Sequence, residues 1–313
     1  MNNFFEILRG GINTTFQDAG RTNLNHIGIP SSGAMDTRNF QLSNSILGNK
    51  INNPVIEFAY QGPLIKFHGD KINFVITGDV IFKIIKGKNE ITGICYETYS
   101  IEDGDIIDII STNKSVYGYL AISGDFDLKL QWGSCSINTK ANIGSNNGKK
   151  IISGQNFNIL NIHSNQLKRK LNFVNTKIEK IRVIRGTNFN YFSDKGVKSF
   201  FNDDFFVSKL SDRMGMRLEG PKIENVVETN IRSEGLVKGV IQVPADGNPI
   251  IMLSDHGTIG GYPKIGVVIS ADIDKLVQLS PGSKIKFQEI ELEDAETLFK
   301  LYELETQNLI SQI

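Results

Sequence analysis

Arg213 and Arg217 stand four residues apart in Ser211-Asp212-Arg213-Met214-Gly215-Met216-Arg217-Leu218-Glu219-Gly220-Pro221. That spacing places both guanidiniums on one face of a strand or of a helix. Two guanidiniums on one face suit a carboxylate or a phosphate, and the competing reading is internal pairing with Asp212, Glu219 or Glu234. A second set lies in Asp255-His256-Gly257-Thr258-Ile259-Gly260-Gly261-Tyr262-Pro263-Lys264, where Asp255, His256, Thr258, Tyr262 and Lys264 can do acid–base or hydrogen-bonding work. Lys264 can polarise an oxyanion or contact a phosphate; the bland alternative is a solvated lysine. Gly260 and Gly261 let the backbone approach a ligand closely, and the N–H groups of such a loop can cradle an anion. Gln242 lies in the apolar run Val240 to Val243, which is joined by a Pro-Ala-Asp-Gly turn to the run Pro249 to Leu253 that enters this loop.

A third set is N-terminal. Thr14-Thr15-Phe16-Gln17-Asp18-Ala19-Gly20-Arg21 offers Gln17, Asp18 and Arg21, and Gly28-Ile29-Pro30-Ser31-Ser32-Gly33-Ala34-Met35-Asp36 offers Ser31, Ser32 and Asp36. Asp36 reads first as a helix N-cap, and the Gly28 to Gly33 turn before it resembles an anion-binding loop at a helix N-terminus. The candidates are therefore Arg213, Arg217 and Lys264 for catalysis. Gln17, Asp18, Arg21, Ser32, Gln242, Asp255, Thr258, Gly260, Gly261 and Tyr262 are the candidates for substrate binding. His26, His68 and His163 are scattered singly, without metal-ligand spacing.

Absences narrow the mechanism. Gly87-Lys88 is followed by Asn89 and Gly148-Lys149 by Lys150, so no phosphate-binding P-loop is present. No methionine precedes a lysine in the arrangement of a biotin-carrier site, and there is no Gly-x-Ser-x-Gly elbow. By itself the chain reads as one component of a larger machine, with no covalent biotin of its own.

The elements that must position these residues are mostly strands. Gly62, Gly104, Gly154 and Gly282 each precede an apolar residue at the third and fifth positions, a turn followed by period-two alternation. Helices are few. One is expected to open at the Asp36 cap and stop at Gly48, and another to run from about Glu293 to Ile313 with Leu298, Leu301, Leu304 and Leu309 as its apolar stripe. At 313 residues the chain fits two domains, with a linker expected between Ser164 and Lys180. Lys plus Arg equals Asp plus Glu at 34 each, so no net field attracts nucleic acid or an anionic membrane. No apolar run is long enough to span a bilayer, and a cytoplasmic protein is expected. Cys95 and Cys135 lack metal or disulfide patterning and read as small buried hydrophobes.

Taken in order, the motifs Thr14 to Arg21, Gly28 to Asp36, Ser211 to Pro221, Ser233-Glu234-Gly235 and Leu236 to Lys264 resemble the C-type component of bacterial 5-oxoprolinase. That family also covers proteins labelled allophanate hydrolase subunit 2, the Kip-type antagonists of a kinase inhibitor, and the carboxyltransferase part of urea carboxylase. The resemblance runs from about residue 5 to 290. It implies cyclophilin-like β-barrel domains, an N-terminal one over 1–170 and a C-terminal one over 171–313 that ends in the helix. It also implies an ATP-dependent hydrolase of 5-oxo-L-proline that works with B-type and A-type subunits on a small amide or lactam, with ATP bound by the complex. Two alternatives stay open: a Kip-type regulatory protein that antagonises an inhibitor of a histidine kinase, and a carboxyltransferase acting on biotin carried by another chain. The oxoprolinase reading is preferred because the chain lacks the carrier and ATP-binding parts of urea carboxylase. Relatives typically read Asp-Arg-Gln-Thr-Thr-Gly-Gly where this chain has Asp255 to Gly261, which argues against a family-wide catalytic role for His256.

Overall fold

The computed structural model describes residues 3–163, 168–173, 178 and 180–313. Two compact units emerge: Met1–Arg21, Ser32–Asn175 and Thr306–Ile313 form the first, and Thr22–Ser31 with Thr176–Glu305 form the second. The expected linker includes residues 164–167, 174–177 and 179, which lie outside the described residues.

The first unit stacks two antiparallel sheets. One runs in the order Asp125–Phe126, Asn156–Leu160, Phe4–Arg9, Leu64–His68, Ile106–Thr112, Val80–Lys86, Asn89–Thr92; the other in the order Asn13–Gln17, Val55–Ala59, Tyr117–Ile122, Ile72–Thr77, Tyr99–Ile101. Alternate residues of the first sheet, among them Phe5, Ile7, Ile65, Phe67 and Ile107, enter one core with Phe16, Phe58, Phe74 and Leu120 of the second. The strands Val55–Ala59, Ile72–Thr77 and Tyr117–Ile122 are buried throughout. Helix α1 (Thr37–Leu47) packs on Ile72–Thr77 and Tyr117–Ile122, on the side away from the core, so both faces of these two strands are buried. This helix starts and stops where its local chemistry dictates. The Asp36 side chain accepts a hydrogen bond from the Asn39 N–H, and Gly48 closes the helix at a left-handed φ of 72°.

The second unit is a closed barrel of seven strands in the order Lys180–Arg185, Lys264–Val268, Val240–Gln242, Ile250–Met252, Gly215–Glu219, Phe205–Val207, Lys284–Glu289. Parallel pairing of the first and last strands closes it, and every other barrel pair is antiparallel. Helix α2 (Asp194–Asn202) packs Phe200 onto Phe287 with ring centroids 4.3 Å apart. Helix α3 is Ser270–Leu276, and helix α4 is Leu292–Ser311. The mostly β reading, with a cyclophilin-like barrel, few helices and a C-terminal helix, holds.

Gly62, Gly104, Gly154 and Gly282 each introduce a strand, as their alternation predicts. The apolar stripe of α4 differs from expectation. Ala295, Leu298 and Tyr302 pack against Ile269 and Ala271, whereas Leu301 and Leu304 are exposed. Residues 295, 298 and 302 recur at helical spacing, and Leu301 and Leu304 fall outside that face. Cys135 is buried and Cys95 partly so, and burial pushes the Cys95 thiol up to about 11. Among the described residues no helix is long and apolar enough to cross a membrane, and no group of three or more His, Cys, Asp or Glu side chains is placed to hold a metal.

Candidate functional site

Gln242 and Lys264 face each other across neighbouring barrel strands as direct partners, just past a register shift at Ile241. Opposed residues of an antiparallel pair share a face. Their chain neighbours Ile241 and Ile265 are fully buried in the core, so Gln242 and Lys264 lie on the opposite side of the strands, where they are still only 4% exposed. A second, two-stranded ladder pairs Glu234–Gly235 with Ile259–Gly260. From it Glu234 reaches Lys264, with Oε2 at 2.5 Å from Nζ.

The hydrogen bonds fix what this face presents. The Gln242 amide donates from Nε2 to the Tyr262 carbonyl at 3.1 Å, which turns Oε1 away as an acceptor with no partner among the described residues. Lys264 Nζ bonds Glu234 alone among those residues, and an ammonium has three donors. Gly260 leaves room for this packing: a Cβ there would lie 2.7 Å from Gln242 Nε2 and 2.8 Å from Leu236 Cδ1, so both side-chain ends would have to shift. Asn188 completes the arrangement. Its Oδ1 accepts from the Lys264 N–H at 3.1 Å, its own N–H donates to the Lys264 carbonyl at 3.3 Å, and a Cβ on nearby Gly186 would sit 2.3 Å from that carbonyl oxygen. Contact with Lys264, reinforced by Asn188, holds the Glu234 carboxyl below its usual range.

Arg213 and Arg217 are treated differently by the fold. Arg213 makes a two-pronged ion pair with Asp255, Nε to Oδ2 at 2.8 Å and Nη2 to Oδ1 at 3.0 Å. One partner is thus a carboxylate forty-two residues away, outside the three acidic residues considered from the sequence. Arg217 is exposed on the strand Gly215–Glu219. His256, next to Asp255, is buried, and burial lowers its imidazole below the usual value. Its Nδ1 lies 2.6 Å from the Gly257 carbonyl, so Nδ1 carries the proton of the neutral ring. Thr258 contributes its carbonyl to Leu236 N–H and Gly261 its carbonyl to Ile231 N–H, which ties the glycine-rich loop to the segment 231–236. Tyr262 is 38% exposed.

Of the N-terminal set, Gln17, Asp18, Arg21, Ser32 and Asp36 lie in the first unit, and Ser31 ends a segment of the second. Asp18 is 8% exposed; Oδ1 accepts from Gly20 N–H, Ser134 Oγ and Ser136 Oγ, and Oδ2 accepts from Cys135 N–H. Arg21 donates to the carbonyls of Gln131 and Ser136. Ser32, at φ 56°, accepts from Asn138 Nδ2 at 3.3 Å. Gln17 donates to Thr15 Oγ1 and to the Ile137 carbonyl, while its Oε1 is buried with no partner among the described residues.

Past the Gly28 to Gly33 turn, the N–H groups leading into α1 have partners within the protein. The N–H groups of Ala34, Met35, Asp36 and Asn39 donate to the Asp18 carbonyl, Glu57, Tyr119 Oη and Asp36 respectively. Glu57 and Asp36 thus place two carboxyl groups at the start of α1.

Glu234 and Asn188 are the site residues that sequence reasoning did not select. The Ser-Glu-Gly motif drew attention to Glu234 only as a possible partner for the arginines. Asn188 carries no local signal, since its role comes from the turn that packs Gly186 to Asn188 against the Lys264 strand.

Residues 27–289 match the family described as carboxyltransferase domain, subdomain A and B. The chain is 32% identical over 291 residues to the C-type component of the Haemophilus influenzae 5-oxoprolinase, covering 93% of this chain and 92% of that protein. Its structure is similar to that of the K. lactis urea amidolyase, with a TM-score of 0.88 and 27% identity over 98% of this chain and 20% of that one. The Kluyveromyces lactis urea carboxylase gives a TM-score of 0.88 with 28% identity over 98% of this chain and 29% of that one. The chain therefore spans less than a third of either of these solved structures.

Proposed function

We propose, because the chain belongs to the carboxyltransferase domain family of subdomains A and B, that it is the C-type component of an ATP-dependent 5-oxoprolinase, acting in the cytoplasm with B-type and A-type subunits. The observation that carries this reading is the edge formed by Gln242 and Lys264. A lactam holds its N–H and C=O cis, pointing the same way. Gln242 Oε1 can accept from such an N–H while an unused donor of Lys264 Nζ binds the carbonyl oxygen. Similarity to the C-type component of a 5-oxoprolinase over more than nine-tenths of both chains supports the same assignment.

The chemistry is plain. An unactivated lactam resists hydrolysis, and ATP bound by the complex supplies the phosphoryl group that turns its oxygen into a leaving group. This chain would hold the amide in register, and Lys264 would stabilise the negative charge that develops on the oxygen. A ureido group presents the same N–H and C=O edge. The likeness to urea carboxylase favours a second reading, a carboxyltransferase acting on biotin carried elsewhere.

The test is reconstitution. The chain mixed with its B-type and A-type partners is expected to release glutamate from 5-oxoproline in step with ATP consumption, and the chain alone to release none. Lys264→Met in the mixture should lower kcat/KM roughly hundredfold, the loss of about 2.7 kcal/mol typical of an oxyanion donor. Glutamate release by the chain alone would overturn the division of labour. No release from the mixture, with carboxyl transfer from carboxybiotin to a urea, would favour the carboxyltransferase, and an effect confined to kinase autophosphorylation would favour a Kip-type role.

A further inference from the structure

We infer that Arg217 binds the carboxylate of the substrate and so decides between 5-oxo-L-proline and an uncharged lactam. The inference rests on the proposed function in taking the Gln242–Lys264 edge as the surface that holds the lactam.

Four residues on neighbouring barrel strands form one transverse row. Arg217 pairs with Ile250, Ile250 with Gln242, and Gln242 with Lys264. Directly opposed residues of antiparallel strands share a face, so all four side chains stand on one side of the barrel wall. The row behind them, Met216, Ile251 and Ile241, is buried in the core.

The two cations of the row are not equivalent. Lys264 is held by Glu234. The Arg217 guanidinium makes no hydrogen bond or ion pair among the described residues, although its strand position is exposed. Its backbone is anchored on both sides: the N–H donates to Ser211 Oγ at 3.1 Å, and the carbonyl accepts from the Ser208 N–H at 2.9 Å. Asp246 senses the charge of Arg217, but both oxygens of that carboxylate accept from Asn248. Glu219, two residues further along the strand, accepts from Ser208 Oγ. A fixed base carrying a free planar fork suits a carboxylate brought by a ligand.

The covalent order of the ligand follows the order of the row. 5-Oxo-L-proline is a carboxylate at neutral pH. Its ring nitrogen lies between the carbonyl carbon and the carbon that bears the carboxylate. With the carbonyl oxygen on Lys264 and the N–H on Gln242 Oε1, the carboxylate emerges past Gln242, on the side of Ile250 and Arg217. Neighbouring strands lie about 4.8 Å apart, so Arg217 is rooted two such steps from Gln242. The long arginine side chain and the projecting carboxylate close that gap from its two ends. A lactam without the carboxylate would use only the Gln242 and Lys264 positions.

The experiment titrates the folded chain with 5-oxo-L-proline and with 2-pyrrolidinone, the same ring without the carboxylate, following amide chemical shifts at neutral pH and low ionic strength. Wild type should bind 5-oxo-L-proline about tenfold more tightly, the scale of one charge-assisted contact. Arg217→Gln should bring 5-oxo-L-proline down to the level of pyrrolidinone and leave pyrrolidinone unchanged, with Arg217→Ala in its place if Arg217→Gln folds poorly. Lys222→Gln removes an exposed positive charge off the row, and the preference should persist in it. No preference in wild type, a preference that survives loss of Arg217, or an equal loss in Lys222→Gln would each overturn the inference; if pyrrolidinone still binds and Lys264→Met abolishes that binding, the proposed function stands. No response to either probe would sink the lactam edge and the inference together. A reconstituted complex that releases no glutamate, while the probes still separate the variants, would sink the proposed function and leave the carboxylate assigned to Arg217.

Discussion

Arg213 and Asp255 grip each other at three points: two side-chain hydrogen bonds at 2.8 and 3.0 Å, and a return bond from the Asp255 N–H to the Arg213 carbonyl at 2.9 Å. The pair fastens the approach to the strand Gly215–Glu219 onto the loop that follows Ile250–Met252. An arginine committed so fully is first a part of the barrel, and its contribution to a ligand would be indirect.

Arg213→Ala should therefore destabilise the protein by about 3 kcal/mol, because it leaves the buried Asp255 carboxylate without its guanidinium. Arg217→Ala, at an exposed position, should stay within about 0.5 kcal/mol of wild type. Urea denaturation of the two variants checks this, and equal losses in both would contradict the different burial of the two arginines.

Gly260→Ala should weaken the site more than the fold. The added methyl would press on Gln242 Nε2 and Leu236 Cδ1 and displace the amide from the Tyr262 carbonyl. Overpacking of this kind costs about 1–3 kcal/mol. The expected signature is loss of lactam-induced shifts in an amide spectrum that otherwise matches wild type; retention of those shifts would show that the Gln242 amide is not part of the binding edge.

Asp18→Asn should cost about 2 kcal/mol, since a carboxylate that accepts two backbone N–H groups and two hydroxyls is replaced by an amide with a misplaced donor. In the reconstituted complex, a variant that melts earlier but keeps its KM below the melting temperature would confirm a structural role. A raised KM with unchanged stability would return Asp18 to the ligand.

His256 should make stability fall with falling pH. Burial lowers its pKa in the folded protein, so the unfolded chain takes up the proton first. The contribution is complete above the unfolded value of about 6.5 and is lost as pH falls from there through the folded value. His256→Asn should flatten the dependence of unfolding free energy on pH just below that point. A dependence as steep as that of wild type would show that the imidazole is not held neutral.

Much of the architecture was legible because its signals are local. Turn glycines followed by alternating apolar residues mark strands, since side chains on a strand alternate between faces whatever the strand pairs with. Asp36 and Gly48 bound α1 through bonds made within a few residues. The α4 stripe misled because Leu301 and Leu304 are apolar without lying on the face that packs.

The sequence by itself determined a β-rich chain, the bounds of α1, the absence of a P-loop, and a set of motifs dense enough to place it in a family. Only the tertiary structure decided which charges meet. Glu234 finds Lys264 thirty residues on, Arg213 finds Asp255 after forty-two, and Asp18 finds Ser134 after 116. Those separations are bridged by tertiary packing, which sets partners at long range and leaves no trace in local periodicity. Strand register brings Gln242 opposite Lys264. Residue types announced cations fit for an anion, and the fold placed a carboxylate against Arg213 and another against Lys264.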